Sequence, residues 1–161
     1  MYSNKLFSYT IYDENSLDNF VKKVTKNFRT SLSYEMWLAD IDRTMCKVSD
    51  LKKESGVEIE VHHINPTLWE IILYCIYKFL DNNIVDFNDF YICTLLSELH
   101  LNGCVSYIQL SQDNHKMYHK DYVEFSTKYP DYKEKITNGN MELRDTIIQK
   151  YIDFYENNID V

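Results

Sequence analysis

Between Leu17 and Phe28 the apolar residues Leu17, Phe20, Val21, Val24 and Phe28 recur at intervals of three and four. That spacing puts them on one face of a helix, for which Asn15 or Ser16 is the expected cap. Lys22, Lys26 and Arg29 fall on another face, either as a solvated surface or as a stripe that tracks phosphates. Residues 5–12 are rich in aromatic and β-branched types and predict a short strand. A second helix is expected over 32–41, with Tyr34, Trp37, Leu38 and Ile41 inward, and a short strand with a charged turn over 44–56. At 57–61 the period drops to two, in the order Val, Glu, Ile, Glu, Val, which predicts a half-buried strand leading into His62 and His63. The widest apolar stripe is Leu68, Ile71, Ile72, Cys75, Ile76, Phe79 and Leu80, a helix over 68–80. Another helix opens at Asp86 or Phe87 and runs to Leu101, where Asn102-Gly103 supplies a stop. A strand over 105–110 follows, then a short helix capped by Ser111 that carries residues 114–122. A last helix over 140–155 sets Leu143, Ile147, Tyr151 and Phe154 on one side.

The resulting fold class is α+β, mostly helical, in one domain of 161 residues. Gly 3 and Pro 2 leave no linker that would divide it. The net charge of −8 repels a phosphate backbone at long range, so non-specific nucleic-acid binding is expected to be weak. Cys46, Cys75, Cys93 and Cys104 are widely spaced, without a C-x-x-C pair, and read as reduced thiols of a cytoplasmic protein. No signal peptide and no membrane-spanning run is expected. The 14 tyrosines accompany abundant Asn, Lys and Ile, a bias of AT-rich coding that needs no functional cause.

Four of the five histidines stand in two close pairs, His62-His63 and His115 with His119. A spacing of four on a helix brings two imidazoles to one face, where both can bind one cation. Neighbouring residues in a strand face opposite ways, but at a strand end both rings can border one cleft, one binding a metal and the other acting as a base. His100 precedes the Asn102-Gly103 turn. It is either a group that supports or adds to the metal ligands or a helix-end residue favoured by the C-terminal dipole.

Glu60-Val61-His62-His63-Ile64-Asn65-Pro66, followed by Ile108 to His115 and by His119, resembles the ββα-metal motif of HNH endonucleases, most closely the His-rich form of colicin-type DNases. The stretch from Ser33-Tyr34 and Trp37 through Cys46 to Pro66-Thr67-Leu68 resembles small HNH-like proteins of tailed phages. In those proteins a helical insertion separates the motif halves, as residues 68–103 do between elements at 57–66 and 105–122. The resemblance spans about residues 30–122. It implies His62, His115 and His119 as metal ligands and His63 as the general base that deprotonates water. It further implies one divalent ion, with Zn, Ni or Mn suited to imidazoles and Mg, which prefers oxygen, bound more weakly. The motif's middle Asn, which orients the base, falls on Ser106 here; His100, Asn102, Ser106 and Asn114 are the candidates for that role. Lys116 and Lys120, with Lys22, Lys26 and Arg29, are the candidate phosphate contacts.

Three functions follow as expectations. The first is a DNA phosphodiesterase active in the cytoplasm of an infected bacterium. The second is a catalytically weak or inactive phage interaction protein on the same scaffold, directed at a host or defence protein. The third is a structural zinc site that only staples the fold. None involves a membrane.

Overall fold

A computed structural model describes residues 13–85 and 87–157; the strand expected at 5–12 lies outside them. Helix α1 (Glu14–Arg29) is capped by Asp13, ahead of the expected Asn15 or Ser16. Its carboxylate accepts the Ser16 N–H at 2.8 Å, and the Ser16 hydroxyl accepts the Asp13 N–H at 3.1 Å. This reciprocal box satisfies two otherwise orphaned donors. Helix α2 (Leu32–Ala39) is capped by Ser31 and stops short of Ile41, which is buried in the turn that follows. The strand expected in 44–56 shrinks to a single bridge, Met45 to Lys52, around a tight turn with Asp50 in the left-handed region. A 3-10 turn and Gly56 (φ 81) then close that segment.

Strand β1 (Ile59–His63) lies two residues beyond the predicted 57–61. The polar histidines interrupt the apolar alternation and hide the strand's end. Its antiparallel partner β2 (Tyr107–Ser111) pairs Ile59 with Ser111 and His63 with Tyr107. β2 starts later than the predicted 105, because Cys104 and Val105 are drawn into the helical core. Helix α3 (Leu68–Asp81) carries a Thr67–Glu70 capping box. Helix α4 (Asp89–Leu101) begins after the predicted 86 or 87, since Phe87 is buried in the core and the Asn88 side chain caps the first turn. Helix α5 (Gln112–Lys120) ends before the expected residue 122. Asp121 stops it and caps α6 (Tyr122–Lys128), a helix the apolar pattern does not announce. Helix α7 (Met141–Asn157) follows. Its buried side is Ile147, Ile148 and Ile152 with Tyr151 and Tyr155 packed alongside, which leaves Phe154 62% exposed rather than inward.

The two strands separate two apolar clusters. Val61 and Tyr107 join the large cluster of α1, α2, α3, α4 and α7, while Ile108 and Leu110 join a smaller one with Phe125 and Tyr132. α5 lies against both strands. The expected inserted helical hairpin of 68–103 corresponds to α3 and α4, and α1 contacts each of them more extensively than they contact one another. No helix among the described residues is long and apolar enough to cross a membrane.

Candidate metal centre

The register of β1 on β2 decides where each histidine goes. His62 is paired with Ile108 and shares the sheet face that meets α5. His63 is paired with Tyr107 and faces the helical core, its ring stacked on Trp37 at 4.9 Å and 25°. Both rings nevertheless line one cleft of about 380 Å³, with Thr25, Arg29, Thr67, Leu68, Trp69, His115 and His119. Among the described residues the sheet has two strands, and along the side of β1 away from β2 a cleft is reached from both faces.

On the α5 side, Nε2 of His115 lies 3.0 Å from Nδ1 of His62 and 3.1 Å from Nε2 of His119. The ligand atoms of these three residues all fall within 4.8 Å of one another. Two imidazole nitrogens on one tetrahedral Zn²⁺, each bound at about 2.0–2.1 Å, stand roughly 3.3 Å apart, so the two pairs that include His115 stand a little closer than shared ligation needs, while His62 and His119 lie within 4.8 Å of one another. Glu60, two residues before His62 on the same face of β1, accepts a hydrogen bond from Nδ1 of His115. That bond keeps the His115 proton on Nδ1 and leaves Nε2 as a bare lone pair aimed at the other two rings. Nε2 of His62 is buried and has no hydrogen-bond partner among the described residues, so Nδ1 is the engaged nitrogen of that ring. The donor set therefore fits a borderline-soft divalent cation with three imidazoles, which leaves a fourth position for water or substrate.

Burial, followed by the neighbouring charge of His115, His119 and Arg29, pulls His62 down to about 3. Burial, followed by His100, Arg29 and His62, pulls His63 down to about 2. Both rings are consequently neutral near pH 7, the state in which an imidazole nitrogen can bind a cation. Burial also lowers His119.

The orienting candidates separate cleanly. His100 is buried, with Nε2 2.9 Å from Nε2 of His63. Ser106 is buried, but its hydroxyl accepts the Gly139 N–H at 2.9 Å. Asn102 is exposed at the end of α4, bonded to the Glu98 carbonyl. Asn114 is buried under the smaller cluster, donating to Cys46 and Ser49 and accepting from Tyr129. Among the phosphate candidates, Arg29 lines the cleft, whereas Lys22, Lys26, Lys116 and Lys120 are exposed and line neither this cleft nor its neighbour.

That neighbouring cleft, of about 430 Å³, shares Arg29, Val61 and His115 and adds Arg43, Lys53, Tyr34, Glu58 and Glu60. Glu60 as a partner of His115, and Arg43 and Lys53 as cleft residues, are not among the residues expected from the sequence. Glu60 was findable, since a period of two places it beside His62. Arg43 carried a compositional signal: the chain has only three arginines against 14 lysines, and two of the three line these clefts.

The family model described as Bacteriophage G278-like virion protein matches residues 1–159. Searches of curated proteins and of solved structures gave no match.

Proposed function

This chain belongs to the Bacteriophage G278-like virion protein family, and within it we propose a metal-dependent phosphodiesterase of HNH type that acts on DNA. The observation that carries this reading is the convergence of His62, His115 and His119 on one point, in a cleft that His63 also borders. A staple site would use four protein ligands and seal itself, whereas three imidazoles beside a cleft suit catalysis and count against the structural-zinc alternative.

His62 and His119, with the Glu60-oriented His115, hold the cation. When bound, it supplies positive charge at a phosphate oxygen and at the leaving 3′-oxygen. Arg29 holds a further phosphate oxygen through its planar fork. The start of α3, at Thr67 and Leu68, adds the positive end of a helix dipole to the same cleft. His63, neutral and flanked by Trp37, accepts the proton of the attacking water. Against the net charge of −8, the two clefts are lined by Arg29, Arg43 and Lys53 and by the carboxylates Glu58 and Glu60.

A second reading is favoured by the family's description as a virion protein and by the acidic chain: a particle component that binds a phage or host protein and uses the histidine cluster little or not at all. Under either reading we place the chain's action in the infected cell's cytoplasm or in the particle assembled there. The deciding experiment incubates supercoiled plasmid with the protein and Mn²⁺, Ni²⁺, Zn²⁺ or Mg²⁺. Wild type is expected to nick, and His63→Ala to lose nicking while still binding metal. Intact plasmid under every metal, at verified occupancy, selects the second reading.

A further inference from the structure

Behind His63, on the side away from the three ligands, His100 forms the middle of a buried chain of hydrogen bonds. Its Nδ1 lies 2.7 Å from the Leu96 carbonyl oxygen. A carbonyl only accepts, so Nδ1 of His100 carries the proton. In a neutral imidazole the other nitrogen, Nε2, is then a bare acceptor. It lies 2.9 Å from Nε2 of His63, and two nitrogens at that distance need one hydrogen between them. Only His63 can supply it. Both residues are at least 96% buried, His63 with 4% and His100 with 2% of their surface exposed, which disfavours a charged ring.

The surroundings prevent an escape by ring rotation. Trp37 stacks on His63 and meets His100 edge-on at 4.8 Å and 88°, while Phe28 packs on His100 at 4.5 Å. Such close-packed aromatic contacts hold both rings in place. We propose that His100 is a positioning residue that fixes the tautomer of His63, keeping its proton on Nε2 and leaving Nδ1 as the ring's free lone pair. A side chain from the intervening helix α4 thereby does what Ser106, at the motif's usual place, does not. The use of that lone pair in catalysis rests on the phosphodiesterase reading; the tautomer itself does not.

The test is side-chain ¹H–¹⁵N correlation on the full chain at neutral pH, with the five histidines assigned by single variants. The expected result is a bare Nδ1 and protonated Nε2 for His63, and the opposite for His100. A His63 protonated on Nδ1 overturns the proposal. In His100→Leu the His63 ring is expected to populate both tautomers, and in His100→Gln, whose side-chain oxygen can accept the same proton, to return to one. A His100→Leu protein whose His63 keeps the wild-type tautomer also overturns it. Should His100→Leu fail to fold, the wild-type and His100→Gln spectra decide. Turnover of bis(p-nitrophenyl) phosphate supplies the separate arm. His100→Leu is expected to lower kcat about 10- to 100-fold, the range for partners that orient a functional histidine, with KM and metal affinity unchanged. Wild-type protein that shows the expected tautomers and cleaves no phosphodiester supports the lock and refutes the hydrolase.

Discussion

Glu60 and His115 lie 55 residues apart in the chain, yet the carboxylate of one accepts the Nδ1 proton of the other. The carboxylate orients the ring and holds its proton on Nδ1, so the other nitrogen is turned as a lone pair toward His62 and His119. Glu60→Gln keeps the shape and removes the charge. It is expected to weaken binding of Zn²⁺ or Ni²⁺ about 10- to 100-fold by calorimetry, with thermal stability little changed because the Glu60 side chain is 37% exposed. An unaltered affinity would place Glu60 outside the centre.

Arg29 and Arg43 line the two joined clefts. If each holds one phosphate, Arg29→Ala and Arg43→Ala should each reduce the salt dependence of DNA binding by about 0.9 in the slope of log K against log [salt]. Metal binding should be unaffected in both. Lys116→Ala, outside both clefts, should leave the slope as it is in wild type. Fluorescence titration of a labelled duplex at several salt concentrations reads this directly, and equal slopes in all three variants would remove the groove from the account.

Burial holds His100 down at about 4, against 6.5 for a free imidazole. Between those values the unfolded chain binds a proton that the folded chain excludes. Stability is therefore complete above about pH 6.5 and is lost as the pH falls toward 4. Each such histidine contributes a slope of about 1.4 kcal/mol per pH unit in that window. Urea midpoints measured with a chelator present, so that metal release plays no part, should fall steadily from pH 7 to pH 4.5. A flat profile would show that His100 is accessible to protons in the folded state.

Gly139 sits against the backbone at Cys104 and Val105. A Cβ added there would stand 2.6 Å from the carbonyl carbon of Cys104 and from the nitrogen of Val105. Backbone cannot swing aside as a long side chain can, so Gly139→Ala is expected to cost about 1–3 kcal/mol in chemical denaturation. The loss should extend to the Gly139–Ser106 hydrogen bond that ties this segment to the start of β2. Wild-type stability in this variant would mean that the segment moves away at little cost.

Periodicity made most helices legible. The stripe from Leu68 to Phe79 and the capping residue Ser111 are local features, and the helices formed where those features stand. It failed where the signal was not apolar. α6 contributes a single fully buried residue, Phe125, so no stripe announces it. β1 runs through two histidines, and their polarity masked its true end.

Within the candidate site, the pairing of His115 with His119 was written in a spacing of four, because helical geometry is local. The sequence by itself therefore determined a helix that presents two imidazoles and a strand that leads into two more. Only the tertiary structure decided that His62 joins them while His63 turns the other way to meet Trp37 and His100. Strand register and the packing of α4 and α5 on opposite sides of the sheet depend on contacts between residues 37 to 53 positions apart, for which no local pattern exists.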